Sequence, residues 1–188
     1  MRDMGSYDDA EACALLEATF RGDEPAFARL YAMTSGRVSA YLCRVLRDRE
    51  AIEDILTETY VEVWRGSGKF RHGSLVITWI IGIARNLAMN WLKRRTTHDS
   101  LDDADDIAAP DEGHDSESHR RIVSAGLSAL PHHHREILAL ALLRELPYEE
   151  ISALLHIPLN TVKSRVFYAK SALRSQLATM GIARDDVI

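Results

Sequence analysis

The chain has 188 residues, of which 46% are hydrophobic and 27% are charged, a composition typical of a soluble globular protein. This length allows one large domain or two small ones. The most apolar stretch, residues 75–87, is interrupted by Thr78, Gly82, Arg85 and Asn86, so the sequence predicts no membrane insertion. The acidic N-terminus lacks the basic and apolar regions of a signal peptide, which favours a cytoplasmic location.

Helical periodicity dominates the first 95 residues, and strand signals are absent. Apolar residues recur at steps of three and four in four segments: residues 10–20, a segment that follows Asp23 and runs to about residue 47, and residues 49–65 and 75–95. Asp23 is expected to cap the second helix, because Pro25 follows in its first turn. The apolar stripe of that helix includes Phe27, Leu30 and Tyr31, which we expect to face a core.

The third and fourth predicted helices differ in their exposed chemistry. The third has an acidic outer face, which suits a partner protein with a basic groove. The fourth carries Trp79 and Trp91 and ends in Lys93, Arg94 and Arg95. Such a helix can hold unstacked bases on its aromatic rings and phosphates on its cations. The two tryptophans are twelve residues apart and can share one helix face, so burial in a bundle core is the alternative.

An acidic segment divides the chain. Residues 99–117 contain nine acids and no Lys or Arg, which leaves 23 basic against 19 acidic residues elsewhere. The composition of residues 96–118 predicts a flexible linker between an N-terminal domain, residues 1–95, and a C-terminal domain, residues 119–188. The charge of the linker could imitate nucleic acid, or the linker could be a plain tether.

The C-terminal domain ends in a predicted helix-turn-helix. Residues 118–130 and 131–144 predict two helices, and a short one follows over 149–155. Asn160 is then expected to cap a last helix that begins at Thr161, whose charged residues as far as position 176 are all basic. A helix of this kind can enter the DNA major groove. An ordinary helical hairpin with a solvated basic face is the alternative. The fold class is therefore all-α, with two small helical domains.

Metal, cofactor and enzyme sites are not predicted. Cys13 and Cys43 are too few for a zinc motif or a disulfide framework, and we expect both to be buried apolar residues rather than redox switches. Three adjacent histidines, 132–134, point about 100° apart on a helix and would need ligands such as His114 or His119 to hold a metal. Nucleotide-binding loops and catalytic motifs are absent from the sequence. We therefore expect no cofactor and no enzymatic activity.

The order of these segments resembles that of the extracytoplasmic-function sigma factors of bacteria, a group of the sigma-70 superfamily with only two conserved sigma domains. The resemblance covers roughly residues 24–178 and rests on FARLYAMTSGRVSAYLCRVLRDREAIEDILTETYVEVWR, TWIIGIARNLAMNWLKRR and LPHHHREILALALLRELPYEEISALLHIPLNTVKSRVFYAKSALR. It implies a protein that binds core RNA polymerase, recognises the promoter -35 and -10 elements and supports DNA melting and transcription initiation. It also allows an anti-sigma factor as a partner.

By this resemblance, three groups of residues are implied as binding sites. The polymerase-binding residues are Glu53, Asp54, Ile55, Thr57, Glu58 and Trp64. The residues that melt and read the -10 element are Thr78, Trp79, Arg85, Asn86, Asn90, Trp91, Lys93, Arg94 and Arg95. The residues that read the -35 element are Asn160, Thr161, Lys163, Ser164, Arg165, Phe167, Tyr168 and Lys170.

The sequence departs from the family pattern at several positions. Ala51 and Ile52 stand where family members usually have Asp-Ala, and Thr57 replaces the usual Gln. Gly82 lies where a basic residue is common, and His156 occupies a turn position normally given to Gly. These changes bear on the affinity for the partner and on the promoter sequence. The alternatives in function are a helix-turn-helix regulator that acts without polymerase and a protein-interaction module that sequesters a partner.

Overall fold

The computed structural model describes residues 7–98, 125–143 and 146–180, and for residues 96–98 it describes the backbone only. Every regular element in these ranges is a helix, which confirms the all-α class. The described residues form two compact units, one with residues 7–42 and 50–98 and the other with residues 43–49 and those from 125 onward. Most of the predicted linker lies outside the described residues, and residues 96–98 extend the fourth helix.

The helices follow the predicted segments closely. Residues 7–98 contain α1 (Asp9–Phe20), α2 (Glu24–Val45), α3 (Arg49–Gly66), a 3-10 turn (Ser67–Lys69) and α4 (Val76–His98). Residues 125–143 and 146–180 contain a short helical turn at residues 125–128, then α5 (His132–Ala141), α6 (Tyr148–Leu155) and α7 (Leu159–Thr179). The predicted helix over 118–130 is described only from residue 125 onward.

Apolar burial holds the first unit together. Leu16 of α1, Leu30 and Leu42 of α2, and Ile77 and Ile80 of α4 are almost completely buried. Each such side chain contributes about 1.5–3 kcal/mol relative to an exposed one. The predicted cap of α2 is confirmed by a hydrogen bond of 3.0 Å from the Ala26 amide to Asp23 Oδ1.

A buried hydroxyl pair joins α2 to α3. Thr34 Oγ1 lies 2.8 Å from Tyr60 Oη and also donates to the Leu30 carbonyl at 2.6 Å. Burial raises the pKa of Tyr60, which therefore keeps its proton at neutral pH. Because the Thr34 proton is used on Leu30, Tyr60 donates to Thr34, and the two polar groups are satisfied inside the core.

Helix α1 packs against the 3-10 turn and against α4. Its apolar face consists of Ala12, Leu15 and Leu16, and Phe20 at its end lies over the turn. The Phe20 ring approaches Gly68 so closely that a Cβ at Gly68 would lie 2.4 Å from a ring carbon. A larger residue at position 68 would therefore require the exposed Phe20 ring to move aside.

The second unit is built around α7, against which both α5 and α6 pack. Ile137, Leu138 and Leu140 of α5 and Ile151 of α6 are buried, as is Val162 of α7. Ser152 secures the end of α6, since its hydroxyl donates to the Ile157 carbonyl at 2.6 Å and its carbonyl accepts from the Ile157 amide at 3.2 Å. His156 between them has a left-handed backbone, with φ 54° and ψ 42°.

The predicted start of the last helix is wrong by two residues. Helix α7 begins at Leu159, and the residue at its N-cap is Pro158, which makes no side-chain cap hydrogen bond. The amides of Thr161 and Val162 donate to the Pro158 carbonyl at 2.8 and 3.1 Å. Because proline fixes φ near the helical value, the chain enters the helix directly after it. Asn160 therefore lies inside the first turn, where its exposed side chain is available to a ligand.

Candidate nucleic-acid and partner interfaces

The exposed side of α7 combines cations with aromatic rings. Lys163, Phe167 and Lys170 follow one another at steps of four and three residues and so share one face of the helix. Tyr168 lies beside Phe167, with the ring centroids 5.6 Å apart. The two aromatic residues are 66% and 63% exposed, although they lie on a helix that buries other side chains well. Large exposed aromatic side chains of this kind mark a binding surface.

The other residues predicted for this site also lie on the exposed sides of α7. Asn160, Ser164 and Arg165 are exposed, and Thr161 is half-buried. Helix α7 contains no acid between Leu159 and Thr179, so the face has one sign of charge along its length. All eight predicted residues are thus accessible to some degree. Val162, Val166 and Ala169, on the opposite side, hold the helix to its neighbours.

Helix α4 exposes a narrower face than α7 does. Trp79, Asn86, Asn90 and Lys93 recur at steps of seven, four and three residues, so they lie along one side of the helix. Asn86, Asn90 and Lys93 are exposed, and Trp79 is half-buried at one end of the row. This arrangement places amide donors and acceptors between an aromatic ring and a cation, which are groups that bind nucleic acid.

The remaining predicted residues of α4 are placed differently from one another. Arg94 is exposed, and the Arg95 guanidinium lies 5.2 Å from the centre of the Trp91 ring, a cation–π contact along the helix. Arg85 and Trp91 are half-buried. Thr78 is only 3% exposed, and its hydroxyl is buried without a hydrogen-bond partner. Thr78 therefore lies in the core and not on the surface that Asn86 and Asn90 share.

The loop before α4 adds residues that the sequence reasoning missed. The Phe70 ring lies 5.6 Å from the Trp79 ring and 4.9 Å from the His72 ring. Lys69 and Arg71, on either side of Phe70, are exposed. The signal was a basic–aromatic–basic triplet inside a segment that its glycines marked as a loop. The loop thus adds an aromatic ring and two cations at the Trp79 end of the exposed row on α4.

Helix α3 presents acids at one end and aromatic rings at the other. Glu53, Asp54, Thr57 and Glu58 are exposed, whereas Ile55 is 4% exposed and belongs to the core. The Thr57 hydroxyl donates to the Glu53 carbonyl at 2.9 Å. Asp54 and Glu58 are four residues apart on one face, which gives the helix a local negative surface.

An aromatic cluster continues this surface. Trp64 packs edge to face against Phe27 of α2, with centroids 5.1 Å apart, and Tyr31 packs in the same way against Tyr60 at 4.6 Å. Trp64 is 37% exposed and Tyr31 is 42% exposed. Tyr31, which the sequence assigned to the core stripe, thus lies at the surface, because its ring covers Tyr60 without being covered itself.

The histidine run offers no assembled metal site. His132 and His134 are half-buried and His133 is exposed, and burial lowers the pKa of His134. Within the described residues, no three His, Cys, Asp or Glu side chains are grouped to hold an ion. His114 and His119 lie outside the described residues. No helix in those same ranges combines the length and apolar character needed to cross a membrane.

Comparison with known proteins assigns both units. Residues 30–98 match the Sigma-70 region 2 family, and residues 126–175 match the Sigma-70 region 4 family. The chain is 29% identical over 177 residues to the ECF RNA polymerase sigma-E factor of Escherichia coli K12. The aligned region covers 87% of this chain and 92% of the relative. The RNA polymerase sigma-H factor of Pseudomonas aeruginosa shows the same identity and coverage.

Solved structures share the fold. The structure of CnrH in complex with the cytosolic domain of CnrY has a TM-score of 0.68 at 19% identity, covering 90% of this chain and 98% of that one. The sigma factor RpoE of Bartonella quintana, in complex with the anti-sigma factor NepR, has a TM-score of 0.68 at 20% identity, covering 81% and 96%. With both sigma-70 regions matched in order, the chain belongs to the sigma-70 family and is an extracytoplasmic-function sigma factor of RNA polymerase.

Proposed function

We propose that this sigma factor works through three surfaces. Helix α7 binds the upstream (-35) promoter element, the exposed row of α4 with the loop of Lys69, Phe70 and Arg71 holds the opened downstream (-10) element, and α3 binds core RNA polymerase. The observation that carries the proposal is the exposed face of α7, where Lys163, Phe167 and Lys170 stand together with no acid on the helix.

The groups on α7 suit duplex DNA. Lys163 and Arg165 lie in the first two turns, where a helix that enters the major groove meets base edges. Asn160 can form two hydrogen bonds with adenine, and a lysine or arginine can do so with guanine. Lys170, a further turn along, is placed for the phosphate backbone. This division supports base reading at the start of α7 and positioning farther on.

The groups on α4 suit single-stranded DNA. Trp79 and Phe70 offer rings on which an unstacked base can lie, and Asn86 and Asn90 offer amides that can hydrogen-bond with base edges. Lys93 and Arg94 supply charge for the phosphates. Because base stacking on an aromatic ring contributes about 1–3 kcal/mol per base, two rings can offset much of the cost of opening a few base pairs.

The acids and aromatic rings of α3 suit a protein partner. Asp54 and Glu58 would be complementary in charge to a basic groove on the polymerase, and the exposed rings of Trp64 and Tyr31 can be buried beside them. The protein then acts by binding and not by catalysis, in the cytoplasm where the polymerase works. An anti-sigma factor is a further partner, supported by the similar RpoE, whose structure holds one.

The test is promoter binding by the holoenzyme formed with core polymerase. The promoter is a duplex selected by the wild-type holoenzyme from random sequence. Lys163→Ala and Arg165→Ala should each weaken binding by about 1–3 kcal/mol if the lost contact is to a base, whereas a lost phosphate contact weakens binding to all sequences and lowers the salt dependence. Arg174→Ala is the matched control and should change binding less, since Arg174 is exposed on the same helix but lies three turns beyond Lys163. Unchanged promoter binding in both variants would remove α7 as the reader.

A further inference from the structure

The first turn of α4 is not capped by its own neighbours in the chain. A helix begins with amides that lack intrahelical acceptors, and the residue just before it usually supplies one from its side chain. Here that residue is Leu75, which has no acceptor on its side chain, and the first turn of α4 contains no acid. The nearby hydroxyl of Ser74 donates to the Leu75 carbonyl at 3.2 Å and does not act as the cap.

The cap comes from the start of α1. Asp9 Oδ1 accepts a hydrogen bond of 2.8 Å from the Val76 amide, and Tyr7 Oη accepts one of 2.9 Å from the Ile77 amide. Tyr7 in turn donates to Asp9 Oδ1 at 2.5 Å. A carboxylate and a hydroxyl thus occupy the positive end of α4, from positions 67 and 70 residues earlier in the chain.

Other residues hold this pair in place. The Arg37 guanidinium of α2 lies 5.4 Å from the centre of the Tyr7 ring, and Cys13 Sγ lies 3.8 Å from Asp9 Oδ2 as a weak donor. Burial and the hydrogen bond to Asp9 raise the pKa of Tyr7, so its hydroxyl stays protonated and remains a donor to the carboxylate. The apolar face of α1 anchors the backbone that carries both residues.

Loss of this cap would first affect the turn of α4 that holds Trp79. The first intrahelical hydrogen bond of α4 runs from the Trp79 amide to the Leu75 carbonyl, at 3.1 Å. If the amides of Val76 and Ile77 lose their acceptors, the turn that fixes the Trp79 ring and its contact with Phe70 can open. Helix α1 lies before residue 30, where the match to Sigma-70 region 2 begins.

We propose that Tyr7 and Asp9 are positioning residues for promoter opening, because they cap α4 and thereby fix Trp79 at the head of the exposed row. This inference rests on the proposed function of α4. It assigns to the N-terminal helix a specific task in addition to packing: α1 sets the geometry of the surface that holds the opened strand.

The geometry is tested by amide hydrogen exchange of the full chain. Asp9→Ala removes both acceptor oxygens, and Tyr7→Phe removes only the hydroxyl and keeps the ring under Arg37. Asp9→Ala should speed exchange at Val76 and, because Asp9 also holds the Tyr7 hydroxyl, at Ile77, whereas Tyr7→Phe should speed exchange at Ile77. The expected change is roughly 5- to 30-fold, the range for the loss of a helix cap. Asp23→Ala, which removes the cap of α2 in the same unit, is the matched control. It should speed exchange at Ala26 and leave Val76 and Ile77 unchanged.

The function is tested by the rate of promoter opening with core polymerase, at a temperature where circular dichroism shows every variant folded. Asp9→Ala and Tyr7→Phe should slow opening severalfold with unchanged affinity for the core, and Asp23→Ala should not. Unchanged exchange at Val76 and Ile77 overturns the cap. Faster exchange with equal opening in all three variants overturns the positioning role and leaves a purely structural one.

Direct variants of α4 separate this result from a failure of the proposed function. Asn86→Ala and Lys93→Ala change the exposed row without touching the cap. If these two also leave promoter opening unchanged, α4 does not hold the opened strand, and the role of Tyr7 and Asp9 in opening fails with it. If they slow opening and Asp9→Ala does not, only the positioning role is overturned.

Discussion

His156 shows how one side chain can be tolerated where the backbone favours glycine. It ends α6 at φ 54°, in the left-handed region, where a Cβ costs about 1–2 kcal/mol. Histidine is among the residues that tolerate this region comparatively well. The turn keeps its hydrogen bonds from His156 to Ala153 and from Ile157 to Ser152. The position therefore carries strain that glycine would relieve.

We predict that His156→Gly stabilises the C-terminal unit by about 0.5–1 kcal/mol, since the relief of strain exceeds the entropy that glycine adds to the unfolded chain. Denaturant unfolding monitored by circular dichroism measures the change. His156→Ala keeps the Cβ and should give no gain. An equal gain in both variants would show that the imidazole, and not the backbone, is the source of the effect.

Single residues were also where the sequence was least informative. Asn160 has the chemistry of an N-cap, but Pro158 is nearer the turn and fixes the start of α7 two residues earlier. The burial of Thr78 and the exposure of Tyr31 depend on which neighbouring helices cover each face, and periodicity within one helix does not contain that information. The sequence also did not predict that Tyr7 and Asp9 cap α4, because the hydrogen-bonded residues are 70 and 67 positions apart in the chain.

At the scale of helices, the sequence was much more informative. The starts of α1, α2, α3 and α4 lie within one residue of the predicted ones, since apolar steps of three and four extend over many turns and average out local ambiguity. The individual site residues came instead from the resemblance to sigma factors, and two of them, Ile55 and Thr78, are buried. What the patterns missed was the loop of Lys69, Phe70 and Arg71, which has no period.

The acidic face of α3 leads to a prediction for partner binding. Asp54 and Glu58 lie on one exposed face, so Asp54→Lys with Glu58→Lys should weaken binding to core RNA polymerase at least tenfold, by replacing attraction with repulsion. Fluorescence titration of labelled protein with core enzyme measures the affinity. Glu17→Lys, an exposed acid on α1, is the control and should retain wild-type affinity.

Circular dichroism should show the same helix content in all of these α3 variants and the control. Higher salt should weaken the wild-type complex and narrow its difference from the double variant, since exposed charges are screened. Wild-type affinity in the double variant at low salt would assign the polymerase contact to another surface, such as the exposed rings of Trp64 and Tyr31.

Over the whole chain, charge is segregated along the sequence. The formal net charge is -5, although both proposed DNA surfaces, on α4 and α7, are basic. The nine acids of residues 99–117 account for the difference, since the rest of the chain carries more basic than acidic residues. A protein with basic DNA-binding faces and a polyanionic segment can lower its own affinity for DNA of any sequence, because the segment competes for the same cations.

We predict that replacing these nine acids by Ser and Asn at constant length, which changes the formal net charge from -5 to +4, raises the affinity of the isolated sigma factor for random-sequence duplex DNA. The gain should be largest at low salt and should shrink as salt rises, because it arises from phosphate contacts. Fluorescence anisotropy with a labelled duplex at several salt concentrations measures it. A variant with the order of residues 99–117 shuffled keeps both charge and length, and it should bind as the wild type does. Equal affinity of the neutralised variant and the wild type for random DNA would contradict the prediction. The segment would then act as a tether, for which length matters and charge does not.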